Sequence, residues 1–160
     1  MPDCQHPTRK PHRLKNYDYS SPGSYFVTFC TKERRPILSE IIAGTSIARP
    51  PEVLLLTAGS LTKNAIEQIP DRYPAVSVDQ YVIMPNHIHL LLRIDEAPAP
   101  SLGRIIQHLK GYVTKNYGTA IWQEKYYDHV IRGENDFLAV YQYICDNPAK
   151  WAEDEYHIDP

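Results

Sequence analysis

Hydrophobic and polar positions along the chain predict strands and helices in a mixed order. Stretches in which apolar and polar residues alternate predict strands, and apolar residues at i, i+3 and i+4 spacing predict helices. Two neighbouring strands joined only by Pro85 and Asn86 predict a hairpin. The predicted strands are 24–31, 75–84, 87–94 and a fourth within 122–132, and the predicted helices are 54–69, 101–117 and 134–147.

The order of these elements predicts an α+β fold. Strand, helix, strand, strand, helix, strand is the split βαβ sandwich of ferredoxin-like folds, with an antiparallel sheet and here an added C-terminal helix that Pro148 stops. The segment 41–53, interrupted by glycine and prolines, predicts a loop or a strand tip. We expect a flexible basic arm over 1–16 and a single domain over 17–160.

Charge distribution adds candidate nucleic-acid contacts. The net charge of −2 neither requires nor excludes nucleic acid, but the segments 1–35 and 101–132 are locally basic and could meet phosphate. An ordinary solvated surface explains the same charges equally well. The candidate DNA contacts are Arg104, Lys110, Lys115, Lys125, Tyr126 and Arg132.

Cysteine usage and the N-terminal sequence indicate a compartment. The three cysteines lack CxxC spacing, and their odd number predicts no disulfide framework. The polar start shows no apolar export leader, and no run of apolar residues is long enough to span a bilayer. We therefore expect a cytoplasmic protein with no membrane partner.

Two histidines interrupt an otherwise apolar strand, MPNHIHLLL (84–92). Successive strand residues point to opposite faces, so His87 and His89 share one face while Ile88, Leu90 and Leu92 share the other. Two imidazoles on adjacent same-side positions could hold one ion or phosphate if a third group reaches them. A hydrogen-bonded pair in the core is the alternative.

The last helix supplies candidates for that third group. Tyr143 falls on nearly the opposite side of this helix from its apolar residues, in line with Ala139 and Asn147, because residues four apart are neighbours. A phenol and an amide oxygen therefore extend together near the helix end. The predicted apolar stripe consists of Phe137, Leu138, Tyr141, Ile144 and Cys145.

Together these residues indicate phosphodiester chemistry. Imidazole nitrogens and an amide oxygen can hold a divalent ion that stabilises a phosphoryl transition state. Tyr143 would be the nucleophile, although a free phenol has a pKa of about 10 and needs a cation or base to activate it. Taken alone, Tyr143 is a surface aromatic and Asn147 a residue that ends a helix before proline. Asp146 could replace Asn147 as a ligand.

Four segments resemble a known family. HIH resembles the paired-histidine motif of HUH endonucleases, and YICDNP resembles the tyrosine helix of single-tyrosine transposases, in the branch of REP-associated tyrosine transposases. YDYSSPGSYFVTFCT, YVIMPNHIHLLL and WQEKYYDHVIRGENDFLAVYQYICDNPAKW are similar to that family in its order. The resemblance covers most of residues 17–151.

The resemblance implies a single-stranded DNA endonuclease and strand-transferase with a 5′-phosphotyrosine intermediate, acting on palindromic repeat hairpins. It implies that His87 and His89 bind Mg²⁺ or Mn²⁺, that Tyr143 is the nucleophile, and that Asn147 is the third ligand. Related insertion-sequence transposases carry Gln at that last position, which is one methylene longer.

Two other functions stay open at this point. In a hydrolytic metallo-phosphoesterase water is the nucleophile and Tyr143 is incidental. In a non-catalytic DNA-binding protein neither metal nor Tyr143 matters. The short C-terminus favours a self-contained monomer, with a dimer as the alternative, and the sequence leaves the role of His129 undecided.

Overall fold

The computed structural model describes residues 13–44 and 49–158. It confirms the predicted α+β fold, in which the main strands and helices follow one another along the chain in the expected order. Short 3-10 turns follow β1 at Lys32–Arg34 and α4 at Asn147–Glu153. The strands are β1 (Gly23–Cys30), β2 (Ser39–Ile42), β3 (Glu52–Leu55), β4 (Val76–Ile83), β5 (His87–Ile94) and β6 (Tyr127–Val130), and the helices are α1 (Thr57–Glu67), α2 (Ile69–Arg72), α3 (Leu102–Tyr117) and α4 (Glu134–Asp146).

The main sheet is antiparallel, with strand order β4-β5-β1-β6. This is the order of the split βαβ sandwich, in which the strand after each helix does not pair with the strand before it. The predicted β4–β5 hairpin forms, and its turn is closed by the backbone N–H of Met84, which donates to the carbonyl of His87 at 2.9 Å. The topology therefore places β5, the histidine strand, in the middle of the sheet beside β1.

The hydrocarbon face of β5 forms the main core. Ile88, Leu90, Leu92 and Ile94 are buried there against residues of α1 and α3, as their alternation predicts. The N-terminus of α3 is capped by Ser101, whose side chain accepts from a backbone N–H of the first turn. The histidines consequently lie on the side of the sheet that these two helices leave uncovered.

The region before and inside the first helix differs from the sequence prediction. The segment 41–53 is not merely a loop or strand tip, because β2 and β3 pair as a second small antiparallel sheet. Leu54 lies in β3, and α1 begins only at Thr57. Pro70 does not follow the helical region but sits in the first turn of α2, where its missing N–H needs no partner.

The predicted apolar stripe of α4 is wrong in part. Leu138 is 55% exposed, and Tyr141 and Cys145 are also exposed, whereas Ile144 is buried. The packed side of α4 covers a second apolar cluster on the histidine face of the sheet, around Phe26. Both sides of this helix carry apolar residues, so periodicity alone selects the wrong one. The cluster around Phe26 contains Leu91 and Ile144, with Val82, Tyr127, Ile131, Phe137, Val140 and Tyr143 packed against it.

Part of the predicted basic arm lies outside the described residues, including Arg9 and Lys10. Arg13 is described, and its guanidinium donates to the hydroxyl of Tyr126 and lies 5.1 Å from that ring. Along 13–44 and 49–158, none of the helices combines the length and the apolar character needed to cross a membrane.

Candidate active site

The imidazoles of His87 and His89 are buried and converge. Their Nε2 atoms lie 3.1 Å apart, and each Nδ1 atom has a partner within the protein. Nδ1 of His87 lies 2.9 Å from Oδ1 of Asn86, and Nδ1 of His89 lies 2.7 Å from the hydroxyl of Thr28. A ring held through one nitrogen with the other directed inward is the usual arrangement of a metal-binding histidine.

The hydrogen bonds around Asn86 assign the proton of His87. The side-chain amide of Asn86 donates to the backbone carbonyls of Arg34 at 3.2 Å and Tyr156 at 2.7 Å, so its Oδ1 must face His87. That oxygen can only accept, and Nδ1 of His87 therefore carries the hydrogen. Nε2 of His87 keeps its lone pair. The hydroxyl of Thr28 can donate or accept, which leaves His89 free to adopt either tautomer.

Burial keeps both rings neutral. It lowers the pKa of His89 to about 3. Burial also holds the pKa of His87 well below its usual range, with repulsion from His89 as the next cause and a smaller opposing effect of Asn147. At neutral pH both imidazoles can offer nitrogen lone pairs to a cation without first losing a proton.

Tyr143 lies beside this pair, on the packed side of α4. Its hydroxyl is 3.5 Å from Nε2 of His89, and its ring contacts that imidazole with centroids 5.1 Å apart. The edge of the same ring meets Phe26 at a centroid distance of 6.0 Å and a right angle. Packing therefore fixes the direction of the phenol, and the structure brings Tyr143 and the histidines together as predicted.

Asn147, the residue that follows α4, also reaches the site. Its side chain is buried, and within the described parts of the chain its Oδ1 has no hydrogen-bond partner of normal geometry. A buried acceptor without a hydrogen bond lowers the free energy of unfolding unless another group binds it. The alternative ligand Asp146 is directed elsewhere, since it accepts from Gln142 at 2.7 Å and lies 3.6 Å from the ammonium of Lys150.

These donors fit a divalent cation. Nitrogens on adjacent positions of one ion, each at about 2.1 Å, stand about 3 Å apart, close to the separation of the two Nε2 atoms. The orphaned amide oxygen completes a set of neutral nitrogen and oxygen donors that a divalent ion can bind. His87, His89 and Asn147 are therefore candidate ligands of such an ion.

Asp154 is a residue of this site that sequence reasoning missed. Its Oδ2 lies 3.7 Å from Nε2 of His87, and its side chain is only 4% exposed. The ligating atoms of His87, His89 and Asp154 all lie within 4.8 Å of one another. In the sequence this carboxylate stands between Glu153 and Glu155 in an acidic terminus, where a solvated acid is the usual interpretation.

The structure does not bring the basic residues of α3 to the histidines. Arg104, Lys110 and Lys115 lie on a helix that packs against the opposite face of the sheet. The ammonium of Lys110 donates to the carbonyl of Gln123 at 2.9 Å, and burial lowers its pKa to about 8. Their contacts with DNA, and those of Lys125, Tyr126 and Arg132, stay predictions.

His129 shares the histidine face of the sheet but belongs to another cluster. It pairs with Phe26 across the β1–β6 ladder, and its Nε2 lies 2.9 Å from Oδ2 of Asp136. The same carboxylate accepts from the backbone N–H of Arg132 at 2.7 Å. His129 therefore holds the start of α4 rather than joining the converging nitrogens.

Comparisons with known proteins place the chain in a family and support the fold. A family model described as IS200-like transposase matches residues 20–147. A Haemophilus influenzae protein described only as uncharacterised is 34% identical, covering 94% of both chains. Another from the same organism, provisionally named a REP-associated tyrosine transposase, is 25% identical over 91% of this chain and 88% of its own. A solved REP-associated tyrosine transposase bound to a REP hairpin shares the fold, with a TM-score of 0.66 and 23% identity over 87% of this chain and 73% of that one.

Proposed function

The chain belongs to the IS200-like transposase family, and from that premise we propose that it is a metal-dependent single-stranded DNA endonuclease and strand-transferase. Transposase function follows from the family; the tyrosine chemistry is our proposal. One observation carries it: the hydroxyl of Tyr143 lies 3.5 Å from Nε2 of His89, beside a second converging imidazole.

We propose that His87, His89 and Oδ1 of Asn147 hold a single Mg²⁺ or Mn²⁺ ion. When bound, such an ion would withdraw charge from the scissile phosphate and stabilise the extra negative charge of the transition state. The neutral imidazoles and the orphaned amide oxygen support this assignment. The hydrogen bonds of Asn86 and Thr28 keep both rings aimed at the same point.

Tyr143 would act as the nucleophile. The phenol loses its proton and its oxygen forms a bond to phosphorus, while the bond from phosphorus to the 3′ oxygen breaks and that oxygen takes up a proton. The products are a 5′-phosphotyrosine and a free 3′ hydroxyl. One phosphoester bond replaces another, so a second DNA hydroxyl can reverse the attack without ATP. The packing of its ring on Phe26 and His89 holds the phenol in place before the substrate arrives, which lowers the entropic part of the barrier.

The proposed substrate is single-stranded or hairpin DNA, including palindromic repeat hairpins. The related transposase solved with a REP hairpin supports this choice. We also propose that the site is complete in one chain, which is consistent with a monomer. All four residues that the proposal uses converge within a single copy: His87, His89, Tyr143 and Asn147.

A denaturing-gel assay with labelled hairpin DNA tests the proposal. We expect the parent protein to form an adduct that survives denaturation, in Mg²⁺ or Mn²⁺ but not in EDTA. Tyr143→Phe should form none. Tyr141→Phe is the matched control, because this second tyrosine of α4 is exposed on the other side of the helix and should react like the parent. Cleavage by Tyr143→Phe without an adduct would instead identify a hydrolase, and binding without any cleavage would identify a non-catalytic DNA-binding protein.

A further inference from the structure

The chain that follows α4, residues 147–158, covers the histidine pair; we call it the C-terminal segment. Within it Tyr156 is buried, and its ring lies 4.5 Å from the ring of His87. The carbonyl of Tyr156 accepts from the side-chain amide of Asn86 at 2.7 Å. A single asparagine therefore holds both His87 and the C-terminal segment, which ties this segment to the site.

Asp154 enters the site from this segment with its two oxygens in different roles. Oδ1 accepts from the backbone N–H of Tyr156 at 2.8 Å, which fixes the local turn. Oδ2 then points inward, 3.7 Å from Nε2 of His87. That nitrogen carries no hydrogen, because Nδ1 of the same ring is the protonated one. Together with a ring nitrogen of His89, these two atoms lie within 4.8 Å of one another, close enough to bind one cation.

The types of donor atom at this point agree with a divalent cation. His87 and His89 would offer ring nitrogens, Asn147 an amide oxygen and Asp154 a carboxylate oxygen. Asp154 would be the anionic member of this set of two nitrogen and two oxygen ligands.

We propose that Asp154 is the anionic ligand of the ion that His87, His89 and Asn147 bind. The C-terminal segment then contributes two of the four protein ligands, and β5 contributes the other two. Metal binding consequently holds the C-terminal segment against the histidine strand. The inference rests on the metal site of the proposed function and extends it by one ligand.

Calorimetric titration of the full chain with Mn²⁺ tests the ligand. Asp154→Asn removes the charge but keeps an oxygen for the N–H of Tyr156, and we expect it to weaken Mn²⁺ binding about tenfold or more. Glu153→Gln is the matched control: it removes an exposed neighbouring charge and should bind within about twofold of the parent. Binding of Mn²⁺ to Asp154→Asn at the parent's affinity would overturn the inference.

A third variant separates this inference from the proposed function. His89→Ala should lose Mn²⁺ binding whether or not Asp154 is a ligand. If His89→Ala binds like the parent, the proposed metal site itself is wrong. If His89→Ala loses binding while Asp154→Asn keeps it, only the role of Asp154 is wrong.

Hydrogen exchange of the unaltered protein tests the same inference without any substitution. The backbone N–H groups of Tyr156 and His157 donate to Oδ1 and to the carbonyl of Asp154, at 2.8 and 2.9 Å. We expect both amides to exchange more slowly in saturating Mn²⁺ than in EDTA, because the bound ion fixes Asp154. Equal exchange in the two conditions would contradict the coupling between metal and segment.

Discussion

The buried imidazole of His89 links the site to the pH dependence of folding. An unfolded histidine has a pKa of about 6.5, whereas burial lowers the pKa of His89 to about 3. As the pH falls below 6.5, His89 of the unfolded chain takes up a proton, whereas the buried ring of the folded chain stays neutral down to about pH 3. The contribution of the neutral ring to stability is therefore complete above pH 6.5 and decreases as the pH falls below that value. We expect His89 alone to reduce the free energy of unfolding by about 1 kcal/mol between pH 7 and pH 5.5.

Urea denaturation in EDTA at the two pH values measures this effect. His89→Gln is the control, because it removes the titrating group while a polar side chain stays opposite Thr28. The variant should lose less stability than the parent over the same interval. An equal loss in both proteins would mean that other groups cause the pH dependence.

Two buried asparagines of the site should respond in opposite ways to the same substitution. Asn147→Leu replaces an amide whose oxygen is unsatisfied, so we expect little loss, or a gain, in the free energy of unfolding without metal. Asn86→Leu removes the hydrogen bonds to His87, Arg34 and Tyr156. We expect it to cost about 1–3 kcal/mol or more. Urea denaturation in EDTA compares the two.

Metal titration completes the comparison of the asparagines. Asn147→Leu should weaken Mn²⁺ binding about tenfold or more although its fold is intact. A large loss of stability in Asn147→Leu, with unchanged Mn²⁺ affinity, would show that the residue serves packing and is not a ligand.

Helix α4 shows why an amphipathic pattern does not by itself identify the packed side. Ile144 is 1% exposed and Leu138 is 55% exposed, although both belong to the stripe that periodicity selects. We expect Ile144→Ala to cost about 2–5 kcal/mol and Leu138→Ala less than about 0.5 kcal/mol. Denaturant unfolding of the two variants measures the difference. Similar costs would indicate that the exposed stripe packs against something in solution.

Elements were predictable where one face of the chain differs clearly from the other. In β5 the alternation separates Ile88 and Leu90 from the histidines, and α3 has a single apolar side, so both elements form as predicted. The β2–β3 pair was not predictable, because each strand has only four residues and no local signal identifies its partner. Asp154 was not predictable either, since only tertiary packing removes it from an acidic, solvated terminus.

The sheet divides the protein into a structural side and a chemical side. Helices α1 and α3 bury the hydrocarbon face, while α4 and the C-terminal segment cover the face that carries His87 and His89. Side chains of the site can therefore be replaced without disturbing the main core. It also means that the proposed ligands, from β5 and from the C-terminal segment, are distant in sequence but meet at one point. An ion bound there would stabilise the folded chain as a whole.

Thermal unfolding should report that stabilisation. An ion at about 100 times its dissociation constant adds about 2.7 kcal/mol, which for a chain of this size raises Tm by about 5–10 °C. We expect the rise in Mn²⁺ for the parent and for Tyr143→Phe, which keeps every proposed ligand. His89→Gln should show little of it, because one of the two converging nitrogens is lost. The same rise in His89→Gln would mean that Mn²⁺ stabilises the protein from another position, and the histidine pair would no longer explain the effect of the metal.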